Sequence, residues 1–153
     1  MHSLLSLISL TFIYTSIAKK KAEPQPIREE IAHIGCSVCN LAMEEVFVAV
    51  SEKRNSAPYR KISEDMISDI LDNICQSTKD EGKWIRMYDI VEFKDNNRRY
   101  LNLEAPGGVG KCGRECSTIV SSCKLLFEEE IDQNDLSAIL WKDKLKSAEE
   151  LKV

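Results

Sequence analysis

The sequence is poor in the residues that announce an enzyme. It has two histidines, and no Ser/His/Asp set or carboxylate dyad stands in a recognisable frame. The glycines at 107, 108, 110 and 113 lack the GxxxxGK[ST] order of a phosphate loop and read as a flexible connector. No Asn-x-Ser/Thr sequon occurs, so N-glycans are not expected. No internal repeat or low-complexity tract interrupts the chain. The net charge is −4 and not sharply segregated, which argues against a nucleic-acid partner, since that requires a concentrated basic face. These absences lead to an expectation of no catalytic residues, no metal and no cofactor.

What is present bounds a single domain. The chain has 153 residues, 43% hydrophobic and 30% charged, enough for a buried core. The first long apolar run, Leu4 to Ala18, carries no charge and is shorter than the roughly 20 residues a bilayer span needs. Ser16-Ile17-Ala18 supplies small residues for signal-peptidase cleavage, so residues 1–18 read as a secretory signal. Its n-region lacks Lys and Arg, and Lys19-Lys20-Lys21 follows the run, so a signal anchor is the rival reading.

Periodicity then divides the remainder. Residues 19–34 are a charged, proline-bearing lead-in and a helix start. Over Ile27 to Ser51 a helix is expected, with Cys36, Cys39, Met43, Val46, Phe47 and Val50 on one face. Pro58 breaks the chain. Ser63 is placed to cap a second helix, with Glu64 and Asp65 in its first turn and Ile67, Ile70, Leu71, Ile74 and Cys75 as its apolar stripe. Asp95-Asn96-Asn97 sits between β-prone flanks, and a hairpin centred on Asn96-Asn97 sets Phe93 opposite Tyr100. Ala105 to Gly113 is loop. A late helix gathers Cys116, Ile119, Val120, Cys123 and Phe127 on one face and closes at Glu128-Glu129-Glu130. Residues 132–153 are expected to hold a C-terminal helix and a charged tail: Asp135 caps a short helix with Leu136, Ile139, Leu140 and Trp141, and KDKLKSAEELKV, residues 142–153, frays after it. Glu44-Glu45 and Glu128–Glu130 read as solvated faces.

The six cysteines, Cys36, Cys39, Cys75, Cys112, Cys116 and Cys123, admit three uses. A catalytic CxxC of thioredoxin type wants a preceding strand and a βαβ context, neither of which flanks Cys36. A four-thiolate zinc site from Cys36, Cys39, Cys112 and Cys116, with His33 as a substitute ligand, has tolerable spacing but orphans Cys75 and Cys123. Disulfide staples use all six and suit an oxidising compartment. If the first and late helices run antiparallel, Cys36 pairs with Cys123 and Cys39 with Cys116, which leaves Cys75 for Cys112.

CSVCNLAMEEV, ISEDMISDILDNIC, the aromatic insert and CSTIVSSCKLLFEEEIDQNDL together resemble the Canopy family of saposin-like proteins, over roughly Gly35 to Trp141. The resemblance implies a mainly α, saposin-like domain over residues 35–131. Nested first-to-sixth, second-to-fifth and third-to-fourth disulfides would staple it, and a short β-hairpin is inserted between the third and fourth cysteines. It also implies a non-enzymatic adaptor or co-chaperone in the endoplasmic-reticulum lumen, binding secretory clients, receptors or lumenal chaperones. The chain ends Glu149-Glu150-Leu151-Lys152-Val153 without a KDEL-like signal, so either secretion or retention by a partner is expected. Trp84, Tyr88, Phe93 and Tyr100 in the insert are the candidate partner contacts, aromatics being enriched at interface hot spots; their plain alternative is a satellite core under a loop. The second functional expectation is a lipid-binding or membrane-interacting saposin-like protein.

Overall fold

A computed structural model describes residues 24–95, 98–142, 145 and 147–151. The signal reading of residues 1–18 and the Asn96-Asn97 turn lie outside them. The protein is mainly helical with one two-stranded antiparallel hairpin, as expected.

The first expected helix is two. α1 (Arg28–Ile31) is a single turn, and α2 (Gly35–Ser56) begins after a break at residues 32–34. The break lets α1 lie along the late helix. There the Ile27 amide donates to Thr118 Oγ1 at 2.8 Å, and Ser122 Oγ donates to the Ile31 carbonyl at 3.1 Å. Helix α2 runs on to Ser56, two residues short of Pro58, whose ring cannot continue a helix.

The buried stripe of α2 is Val38, Ala42, Met43, Val46 and Val50. The expected stripe has this period, and Met43, Val46 and Val50 are common to both. Cys36, seven residues before Met43 and so on its face of the helix, is nevertheless exposed at the first turn, and Cys39 and Phe47 are half-buried.

Helix α3 (Glu64–Asn73) matches expectation closely. Ser63 Oγ accepts from the Met66 amide at 3.3 Å, and Glu64 and Asp65 occupy the first turn, where the helix dipole favours acids. Ile67, Ile70, Leu71, Ile74 and Cys75 are all buried.

After α3 the chain turns back sharply. A Cβ on Gly82 would lie 2.2 Å from the Gln76 carbonyl oxygen, so only glycine permits this approach. The turn delivers Trp84 and Ile85 into the core within a 3-10 turn, Lys83–Met87.

The hairpin follows as β1 (Asp89–Asp95) and β2 (Arg98–Glu104), in a register that sets Phe93 opposite Tyr100, as the turn signal foretold. Successive side chains alternate across a sheet. Ile90, Leu101 and Leu103 therefore pack toward the helices, while Phe93 and Tyr100 share the other face.

Residues 105–113 are irregular, with Gly107 and Gly108 at φ of 103° and 81°, where a side chain would be strained. Helix α4 (Arg114–Leu125) buries Cys116, Ile119 and Cys123, with Val120 half-buried. It runs into a wider π-type turn, Leu126–Glu130, that buries Phe127 and leaves the three glutamates exposed.

Helix α5 (Gln133–Trp141) is capped by Asp132, whose carboxylate accepts from the Asn134 and Asp135 amides at 2.9 and 3.2 Å. The cap lies three residues before Asp135, because the acid that precedes the first turn can reach its free amides. Leu136 and Leu140 are buried, while Ile139 and Trp141 stand out in solvent. The tail does not simply fray. Leu145 and Leu151 pack on the core, and Ala148–Leu151 forms a 3-10 turn beside α2.

Candidate functional site

Two features carry chemistry that the core does not consume: the aromatic face of the hairpin and the cysteines.

The four candidate contact aromatics separate into two pairs. Trp84 is 1% exposed, and its indole N–H donates to the Ile74 carbonyl at 3.0 Å. It is an anchor of the main core, not of a satellite one, and is unavailable to a partner. The reason is local: the turn at Gly82 points the indole back at the last carbonyls of α3. Tyr88 is half-buried with its ring edge-on to Trp84 at 6.3 Å. Its hydroxyl is pushed above its ordinary pKa by burial and then by the carboxylates of Glu45 and Glu44.

Phe93 and Tyr100 differ. Their rings stack at 5.5 Å and 13°, and Tyr100 is 50% exposed. On the hairpin's other face, which also carries Leu101, Arg99 pairs with Glu92 through two N–H groups, one of them at 2.8 Å. That hydrogen bond holds the Glu92 carboxyl below its usual range. His33, Glu92, Arg99, Tyr100 and Leu101 line an open cleft of about 310 Å³. His33 thus faces the hairpin, and among the described residues no group of three or more His, Cys, Asp or Glu is arranged to hold a metal ion.

The cysteines are bonded differently from the nested scheme. Cys75 joins Cys123 with Cα atoms 5.6 Å apart, and Cys112 joins Cys116 at 5.0 Å, both within ordinary disulfide spacing. Cys36 and Cys39 are free thiols. The physical reason is that α2 starts only at Gly35, so its CxxC stands in an exposed first turn, while α1 lies along α4 at Thr118 and Ser122. Cys123 meets the end of α3 instead. Cys75 and Cys112 are neighbours, as expected, but not partners. Both line one cleft of about 510 Å³ with Ser77, Ser117 and Lys124, and Ser77 Oγ donates to Cys112 Sγ at 3.7 Å. With Cys112 and Cys116 joined to each other, the four-thiolate zinc arrangement is not formed.

Within the CxxC turn, Cys36 is exposed and Cys39 half-buried. Burial, and then the neighbouring Cys36, raise the Cys39 thiol above its ordinary pKa. Gly35, immediately before them, has no neighbouring heavy atom within 4 Å of where a Cβ would stand, so the approach to Cys36 is open.

The acidic faces also divide. Glu128, Glu129 and Glu130 are exposed. Glu45 is half-buried, and its carboxyl is raised by burial, by Glu44 and by Glu52, with Lys83 opposing. It is not the simple solvated residue that the Glu44-Glu45 pair suggested. The sequence signal for this was the position of Glu45 one residue before buried Val46, at the edge of the apolar stripe. No described helix is long and apolar enough to cross a membrane. No family model, curated protein or solved structure matches this chain.

Proposed function

We propose that this protein is a protein-binding adaptor or co-chaperone of the secretory pathway, of the Canopy-like saposin type, which engages maturing clients or lumenal chaperones through its hairpin. The observation that carries this reading is the Phe93–Tyr100 stack. It is an aromatic pair set on a two-stranded arm, on the face turned away from the core-packed Ile90, Leu101 and Leu103. Aromatics of low conformational freedom are efficient contact residues. Two disulfides suit an oxidising compartment, which supports the secretory setting.

The test is capture from microsomes with the full chain as bait, against a Phe93→Ala/Tyr100→Ala variant. Recovery of lumenal chaperones or immature receptors by the parent, and its loss in the variant, is the expected result. Equal recovery by both would remove the hairpin from the reading. Strong, acid-dependent co-sedimentation with liposomes would replace the adaptor with the lipid-binding alternative.

A further inference from the structure

The two thiols of the CxxC turn are arranged asymmetrically. Cys36 is exposed at the first turn of α2, beside an open Gly35. Cys39 is half-buried one turn on. Side chains three residues apart on a helix share a face, with Cβ atoms about 5–6 Å apart, so a short local adjustment brings the sulfurs into bonding range. The other four cysteines are already paired with one another. This dithiol is therefore the one pair of described cysteines with reducing equivalents to give.

We propose that Cys36 and Cys39 are an exchangeable dithiol that reduces disulfides of partner polypeptides, Cys36 attacking and Cys39 releasing. In the first step Cys36, having given up its proton, attacks one sulfur of the partner's disulfide. That S–S bond breaks, a mixed disulfide forms, and the departing partner thiolate takes a proton. In the second step Cys39, deprotonated in turn, attacks Cys36 Sγ. The mixed bond breaks, the Cys36–Cys39 disulfide forms, and the second partner thiolate is protonated. Two electrons pass to the partner, whose disulfide becomes two thiols, and the dithiol is oxidised to a disulfide. Each chain turns over once without a further reductant. The asymmetry assigns the order: the accessible sulfur meets the partner, and the sheltered one, held more firmly in its thiol form by burial, acts after the encounter.

The inference does not use the aromatic face that carries the adaptor reading, but it requires Cys36 and Cys39 to be free, against the nested pairing that the Canopy resemblance implies. It is tested first by alkylating the native full-length protein and mapping its peptides without reduction. The expected result is alkyl groups on Cys36 and Cys39 alone, with Cys36 reacting first. A disulfide from either residue to any of the other four cysteines overturns the proposal. The probe for exchange is a peptide with one internal disulfide and a fluorescent reporter of its opening. The parent protein is expected to open it and gain a Cys36–Cys39 bond. Cys39→Ser is expected to accumulate the mixed disulfide, and Cys36→Ser to lose exchange altogether. A peptide left oxidised by the parent, or opened as fast by Cys36→Ser, overturns it. Because the alkylation map needs no variant, the outcome does not depend on how either variant folds.

Discussion

The seam between α3 and α4 and the opening turn of α2 both carry cysteine, and their fates are opposite. At the seam, Cys75 and Cys123 are buried and joined across 48 residues of sequence. At the opening turn, Cys36 and Cys39 stay apart and reach solvent. The residue type is the same, and each pair follows the period of a buried stripe. The difference is where along the stripe each stands. Cys75 follows Ile67, Ile70, Leu71 and Ile74 at a buried helix end, whereas Cys36, on the face of Met43, stands in the exposed first turn of α2. A cysteine becomes a cross-link when the stripe carries it to another element, and a reagent when the stripe runs out into solvent.

The largest effect that would break this comparison is loss of the long cross-link. Replacing Cys75 and Cys123 together with alanine removes a loop closure worth about 4 kcal/mol on the chain-entropy model, a large share of the roughly 5–15 kcal/mol typical of a domain. Urea unfolding of the variant should show a midpoint far below the parent's. An unchanged midpoint would mean that packing alone holds the seam. The short link is expected to matter about half as much: opening Cys112–Cys116, four residues apart, costs about 2 kcal/mol by the same model, measured the same way. Cys36→Ser sharpens the contrast from the other side. An exposed position without a bond should move stability by no more than about 0.5 kcal/mol, although the same change is expected to abolish exchange.

The smallest predicted effect concerns α2 further along. The folded-state pKa of Glu45 lies above its ordinary value, so the folded protein holds that proton more firmly than the unfolded chain does. Stability is therefore favoured below the ordinary carboxylate pKa and declines as pH rises through the raised value. Glu45→Gln should flatten that part of the pH–stability profile and stabilise the protein slightly at neutral pH, within about 0.5 kcal/mol for a half-exposed group. Urea midpoints at acidic and neutral pH check the sign, and a variant less stable than the parent at neutral pH would refute it.

Much of the candidate site was legible in advance, and the failures share a cause. The Phe93–Tyr100 pairing followed from a turn signal between β-prone flanks, because hairpin register is fixed by residues a few positions apart. Trp84 was open between a partner contact and a core residue, because its burial depends on Gly82, whose lack of a side chain lets the chain fold back to within touching distance of Gln76. The cysteine partners were misassigned because a helix that reads as continuous from Ile27 is broken at residues 32–34, which lays α1 along α4 and leaves the CxxC in the exposed first turn of α2.

Local patterns in the chain were enough to determine a mainly helical domain with one hairpin, the apolar stripes of α3 and α4, the Ser63 cap and the strand register. Each depends on interactions within a few residues, where backbone geometry leaves few choices. Which sulfurs meet, which aromatics stay outside and which glutamate is sheltered were decided only when the elements packed. Those outcomes depend on the rotation of one helix against another, and a few degrees of rotation, or one break between turns, exchange solvent for core without altering the periodicity written in the sequence.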